Sequence, residues 1–342
     1  LPALGMRIEI FPQDRRLPDL RTYVEEPTSP RVTRLVHAAT GWSPAHADEI
    51  AVDPVRYRPG IAAPLRYRAR SEGPDGLSRQ CFVKLSPHEG AIAKPCAAVL
   101  LNRALERDRQ PIRLSVPVIS DPDAGVEAYA AAPGRSLQQI ARSEVHFTPR
   151  VQAAGEALAR FHVARVPDLP PASGEREQRK YERACRLLAW ACPQARPALR
   201  RIEETAPAFW RTGVEGPTHG DMKPDHLFVS HERTAVHLID NDAVAIANPL
   251  VDIGSMLARL DAMHWLEGAD EQRLHEISAT LSDTYLGIVP ESWSRHLGQA
   301  RALATLLVCQ HAVQRLVPGW RARVLAELEK AHGRKTKLAM DI

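Results

Sequence analysis

The punctuation of the chain changes once, at Pro133-Gly134, and that change constrains the fold more than any other feature. Upstream, short runs rich in β-branched, aromatic and aliphatic residues are separated by turn signals: 50–58 stops at Pro59-Gly60, 65–71 stops at Gly73-Pro74-Asp75-Gly76, and 80–85 and 126–130 follow. Short runs with tight connections are the pattern of an antiparallel meander. A helical apolar run over 97–105 follows Pro95, and a strand candidate over 116–119 comes after it. Downstream of Gly134 the apolar residues recur with the helical period over 149–163, 176–191, 197–209, 250–266, 271–286, 293–316 and 321–331. One strand pair, 227–230 and 235–239, interrupts them. The chain therefore reads as α+β, with an N-terminal extension over 1–45 that holds a helix at 31–40, a small antiparallel-sheet lobe over 46–130, and a larger, mainly helical lobe over 131–342. Pro and Gly are scattered at turns and form no linker tract, so the two lobes are expected to pack together.

Composition removes several function classes. Hydrophobic residues make up 44% and charged residues 25% of 342, which is globular. No apolar run reaches the roughly 18 residues of a membrane span. The 45 Lys+Arg against 41 Asp+Glu leave +4 with both signs interspersed, which argues against a nucleic-acid or membrane partner. Five cysteines without a CxxC pair suit a reducing compartment, so a cytoplasmic location is expected. Only seven of the 45 basic residues are lysines, so Lys84 at the end of an apolar strand and Lys223 beside a carboxylate stand out.

The segment Thr218-His219-Gly220-Asp221-Met222-Lys223-Pro224-Asp225-His226-Leu227-Phe228-Val229, followed by Leu238-Ile239-Asp240-Asn241-Asp242, carries the chemistry. Two acidic sites separated by a hairpin come side by side at its base, because the chain leaves by one strand and returns by the other. One carboxylate can then orient a hydroxyl nucleophile while the other holds a divalent cation on phosphate oxygens. Such an arrangement suits phosphoryl transfer, where catalysis is mostly positioning and charge neutralisation.

These residues, with Asn248-Pro249-Leu250-Val251-Asp252-Ile253-Gly254 after them, resemble the aminoglycoside phosphotransferase and choline kinase-like family, which has a bilobal protein-kinase-like fold. Upstream text resembles it too: Arg56-Tyr57-Arg58-Pro59-Gly60 with Leu65-Arg66-Tyr67-Arg68 is similar to the first hairpin of the small lobe, 127–137 to the hinge, and Leu158-Ala159-Arg160-Phe161-His162 to a helix ending in Leu-His. The resemblance implies a kinase that passes the γ-phosphoryl group of ATP or GTP, with Mg²⁺ between the lobes, to a hydroxyl of a small molecule such as an antibiotic or natural-product intermediate. It implies Asp221 as catalytic base and Asp240 as chief metal ligand, with Asp252 holding the catalytic loop and His219 packed beneath it. Lys84 would clamp the α and β phosphates, the backbone near Glu127, Ala128 and Tyr129 would meet the base edge, and Lys223 would neutralise the transferring group.

Two positions depart from the family pattern. His226 stands where an Asn should supply the second metal ligand, and imidazole is a poor substitute for oxygen on Mg²⁺; Asp225 or Asp242 can compensate, or His226 serves as a packing and hydrogen-bonding residue. The helix expected to give Lys84 an acidic partner carries Cys96 instead, which leaves Glu89. Both departures support a second reading, a pseudokinase scaffold for a partner protein or peptide. A third, a kinase acting on Ser or Thr of a peptide, rests on Lys223-Pro224. Residues 252–291, with eight acidic and two basic side chains, offer Asp261, His264 and Trp265 as candidates for an acceptor pocket or for ordinary packing and helix surface.

Overall fold

The computed structural model describes residues 10–44, 49–70, 79–87, 95–232 and 235–338. In chain order its elements are α1 (Leu20–Glu25), α2 (Pro30–Thr40), β1 (Ile50–Pro54), β2 (Ala63–Ala69), β3 (Gln80–Leu85), α3 (Pro95–Arg107), β4 (Ile112–Leu114), β5 (Ile119–Asp121) and β6 (Val126–Ala130). There follow β7 (Arg135–Ser136), α4 (Leu137–Ser143), α5 (Thr148–His162), α6 (Gly174–Ala191), α7 (Arg196–Trp210), β8 (Gly216–Thr218), β9 (Leu227–Val229), β10 (Val236–Leu238) and β11 (Ala245–Ala247). Four helices close the chain: α8 (Leu250–Glu267), α9 (Glu271–Leu286), α10 (Ser294–Gln314) and α11 (Trp320–Leu338). They divide into two compact units, residues 1–96 with 115–132, and residues 97–114 with 133–342.

The first unit is built on an antiparallel sheet in the order β1-β2-β3-β6-β5. Alternation along β2 and β3 sends Leu65, Tyr67, Cys81 and Val83 into the core and turns Arg66, Arg68, Phe82 and Lys84 to the other face. The core side is covered by the N-terminal segment, whose Leu17, Leu20, Tyr23, Val32, Leu35 and Val36 belong to the same buried cluster. Each such side chain contributes about 1.5–3 kcal/mol by leaving water. The described part of the N-terminal extension is thus a layer of this unit, not an appendage to it. On the opposite face Asp53 accepts from both Arg66 and Arg68 at 3.0 Å, so this part of the arginine ladder is a half-exposed ion network.

The second unit holds a four-stranded sheet, β4-β10-β9-β7, a two-stranded pair, β11-β8, and the helices from α4 onward. The helix at 97–105 was expected in the small lobe, but residues 97–114 lie here, with β4, a strand not signalled by the sequence; the strand expected over 116–119 falls at Ile119–Asp121 in the first unit. The reason is pairing: β4 runs parallel to β10, Val236 N–H donates to Pro111 O at 2.8 Å, and Leu114 N–H donates to Asn102 Oδ1 on α3 at 2.8 Å. The break at Pro133-Gly134 has a steric cause. Gly134 sits at φ +91, and a Cβ there would lie 2.0 Å from Val229 O. No helix among the described residues is long and apolar enough to cross a membrane.

Candidate active site

The loop Thr218–His226 leaves β8 and enters β9, and its backbone is held from below by one buried carboxylate. Asp252, in the first turn of α8 and 1% exposed, accepts from His219 N–H at 2.5 Å and from Gly220 N–H at 3.0 Å. Its Oδ2 also lies 3.4 Å from His162 Nε2, long for a hydrogen bond and so mainly an electrostatic contact. Burial alone pushes the Asp252 carboxyl up, but His162, His219 and the donated backbone N–H outweigh it and hold it below the ordinary carboxylate range. Burial lowers His162, whose Nδ1 lies 2.7 Å from Tyr285 Oη on α9. A neutral imidazole with its proton on Nε2 satisfies both neighbours: the proton faces Asp252, and Nδ1 accepts from the tyrosine.

His219 is fully buried, and its bonds assign its tautomer. Nδ1 accepts from Asp221 N–H at 3.3 Å, so Nε2 carries the proton that goes to Ile239 O, 2.8 Å away. One ring thus ties the loop carrying Asp221 to the chain leading into Asp240. Asp221 itself is exposed and pairs with Lys223 Nζ at 2.7 Å. Met222 O accepts from Ser255 Oγ at 2.9 Å, and Ser255 Oγ in turn lies 3.4 Å from the Arg259 Nε–H.

The hairpin brings the acidic sites together. β9 pairs antiparallel with β10, Leu227 opposite Leu238, and the ladder continues with Ile239 N–H donating to His226 O at 3.0 Å. Asp240 then turns in the left-handed region at φ +60, a conformation Asp tolerates better than most residues. Its Oδ2 lies 3.8 Å from His226 Nε2. Ligand atoms of Asp221, His226 and Asp240 all fall within 4.8 Å of one another. His226 is 7% exposed, and its Nδ1 has no hydrogen-bond partner among the described residues. Burial, then the charge of Lys223, push its pKa down to about 4 against the opposing carboxylates Asp225 and Asp240. It is therefore neutral at pH 7, the state a metal ligand requires. Two carboxylates and one neutral imidazole fit a divalent cation.

Residues 109–287 match the sequence profile of the phosphotransferase enzyme family, more than half of the chain. The chain belongs to this family. Among solved structures this phosphotransferase is similar to amicoumacin kinase hAmiN in complex with AMP-PNP, Ca²⁺ and Ami, at 14% identity over 92% of this chain and 96% of that one, with TM-score 0.57. It is similar to choline kinase from Cryptosporidium parvum Iowa II at 10% identity, over 90% and 95% of the two chains, TM-score 0.57. The GDP complex of an aminoglycoside 2'-phosphotransferase-IIIa mutant gives 12% identity, 84% and 92% coverage, and TM-score 0.54. At these identities the structures show the fold, which is α+β and protein-kinase-like. No curated protein sequence matches.

The other expected site residues of the phosphotransferase are distributed as follows. Asp242 is exposed two residues beyond Asp240 and is not one of the three converging ligands. Lys84 is opposite Glu127 in the β3–β6 register. Glu127 and Ala128 are paired on both edges, by β3 and by β5, and Ala128 O accepts from Val118 N–H at 2.8 Å, so their backbone serves the sheet. The β5 ladder ends at Ala128, which leaves Tyr129 as the first residue past it; its hydroxyl donates to Glu127 Oε2 at 2.8 Å. Glu89 lies outside the described residues. Asp261 is taken by Arg301, with 2.9 Å between Nε and Oδ2, and Trp265 is buried in a cluster with Ala304 and Val308.

Sequence reasoning missed His162 with Tyr285, and Ser255 with Arg259. The second pair had a signal: Asp252, Ser255 and Arg259 stand at i, i+3 and i+7, one face of α8. It also missed Asn241, 6% exposed, whose Nδ2 donates to Leu238 O at 3.0 Å and shapes the turn after Asp240.

Proposed function

We propose that this phosphotransferase moves the γ-phosphoryl group of ATP or GTP to a hydroxyl group of a small molecule, an antibiotic or a natural-product intermediate. The observation that carries the reading is the convergence of Asp221, His226 and Asp240 within 4.8 Å at the base of the hairpin. Asp221 orients the acceptor hydroxyl and takes its proton. Lys223, already 2.7 Å from Asp221, offsets the charge of the transferring group. Asp240 and His226 hold the cation, Mg²⁺ or a relative, and Asp242 is close enough in sequence to add a ligand through water. When bound, the cation neutralises phosphate oxygens and fixes their orientation.

In the first unit, Lys84 pairs with the α and β phosphates. Glu127, directly opposite it in register, is available as its acidic partner, the role read from sequence for Glu89. The base edge is met from Tyr129 onward, since Glu127 and Ala128 lie within the ladder. Structures of similar fold solved with AMP-PNP and Ca²⁺, and with GDP, support a nucleotide donor and a divalent cation.

Mass spectrometry of hydroxyl-bearing antibiotics incubated with the protein, ATP or GTP, and a divalent cation should show a gain of one phosphate. Asp221→Asn should abolish that gain while nucleotide binding persists; unchanged turnover would remove Asp221 from the role of base. If neither nucleotide nor cation shifts the melting temperature and no acceptor gains phosphate, the chain is a scaffold and not a kinase.

A further inference from the structure

The N-terminal segment makes a contact whose chemistry the fold does not need for packing. Asp14 is 6% exposed although it is a carboxylate, and two of its four hydrogen-bond donors belong to the turn between β1 and β2. Oδ2 accepts from Gly60 N–H at 2.7 Å and from the Tyr57 hydroxyl at 3.0 Å, while Oδ1 accepts from Arg16 N–H at 2.8 Å and Leu17 N–H at 3.3 Å. Phe11 stacks edge-on against Tyr57 with ring centroids 5.2 Å apart. The turn is closed on itself by Arg58 N–H to Ala62 O at 3.0 Å and Ile61 N–H to Arg58 O at 3.0 Å, with Gly60 at φ +65. The methylenes of Arg16 lie so close above Gly60 that a Cβ there would meet Arg16 Cδ at 3.1 Å.

The position of this turn gives the contact a meaning. β2 begins at Ala63, and Lys84 on β3 is paired with Pro64, so the turn ends within two residues of the lysine's register partner. In kinases generally, a glycine-rich turn between the first two strands covers the phosphates that the β3 lysine also reaches. Here the stretch 55–62 contains one glycine, and its N–H already points at a carboxylate. A turn with so little conformational freedom cannot fold around a phosphate on arrival. Its shape must be set beforehand.

We propose that Asp14 is a positioning residue for the nucleotide: it holds Tyr57–Gly60 in the phosphate-facing conformation before the nucleotide binds. This rests on the reading of Lys84 as the phosphate clamp. Pre-organisation of this kind acts on affinity, because the ordering cost of the turn is met in the free protein. It leaves the chemical step at saturation untouched.

Asp14→Asn keeps the volume and removes the charge shared by four donors. At constant cation, isothermal titration with AMP-PNP is expected to show Kd raised about 10-fold, with kcat at saturating nucleotide and KM for the acceptor within about twofold of wild type. Amide exchange of 57–62 in the nucleotide-free protein should accelerate in Asp14→Asn, and Tyr57→Phe, which removes one of the four bonds and leaves the carboxylate, should give a smaller rise in both readouts. Unchanged or tighter nucleotide binding in Asp14→Asn, with the melting temperature preserved, overturns the proposal. So does a fall in kcat that matches the rise in Kd. Wild-type protein that binds no nucleotide would instead refute the clamp reading, while the exchange data would still report whether Asp14 orders the turn.

Discussion

Asp252→Asn is expected to destabilise the second unit by about 3–5 kcal/mol. The carboxylate receives His219 N–H and Gly220 N–H on separate oxygens, with His162 beside it. An asparagine has one carbonyl oxygen, so whichever N–H keeps an acceptor, the other meets an NH₂ group. At 1% exposure no water reaches the stranded donor. Losing a charge-assisted bond costs about 1.5–3 kcal/mol and leaving a buried donor unpaired about 1–3 kcal/mol. Asn has nearly the volume of Asp, so no cavity term is added. Urea unfolding followed by tryptophan fluorescence measures this directly, since Trp190, Trp210, Trp265, Trp293 and Trp320, five of the six tryptophans, lie in the second unit. The pH dependence supplies an independent check. The folded pKa of Asp252 is depressed below its unfolded value of about 3.9. Its contribution is therefore complete above the unfolded pKa and is lost as the pH falls through the folded one. In the Asn variant that part of the acid slope disappears, while the difference at neutral pH stays constant. A loss below about 1 kcal/mol, or an acid slope unchanged from wild type, would refute the idea that one carboxylate holds the loop.

Three further changes test the site and its frame. Asp240→Asn keeps a residue type that accepts φ +60 and should leave the melting temperature nearly unchanged while cation affinity falls at least about 10-fold by titration; Asp240→Val should lose both, because a β-branched residue is strained there. His226→Asn exchanges imidazole for an amide oxygen, so Mg²⁺ should bind more tightly and Zn²⁺ or Co²⁺ more weakly, by about 10-fold each on competition titration. An unaltered preference would show that His226 is not a ligand. Gly134→Ala places a Cβ 2.0 Å from Val229 O and should prevent recovery of folded protein, which circular dichroism and gel filtration would detect.

The residues whose placement could be read from sequence are those whose partners lie within one hairpin or one helical turn. The convergence of Asp221, His226 and Asp240 is of this kind, because β9 and β10 pair antiparallel with only residues 230–235 between them, and the base of the pair unites the flanking residues. The boundaries of α9 and β6 were equally legible, the first from its helical period and the second from the turn that stops it. What supports the site was not. β4 is three residues long and lies more than a hundred residues before its partner β10, too short for alternation to declare it and too distant for a turn to join the two. His162 and Tyr285 read as core positions on two helices, since periodicity says which face is buried and never what it faces. Glu127 and Ala128 illustrate the converse, in which a motif marks a segment but says nothing of β5, the distant partner that pairs with its backbone. Asp14 is the extreme case: one of 41 acidic residues, it bonds an amide 46 positions away, and no pattern around it distinguishes it from a solvated turn carboxylate. Its burial distinguishes it, because a carboxylate at 6% exposure must recover its lost hydration from specific donors, and the identity of those donors then says what it holds in place.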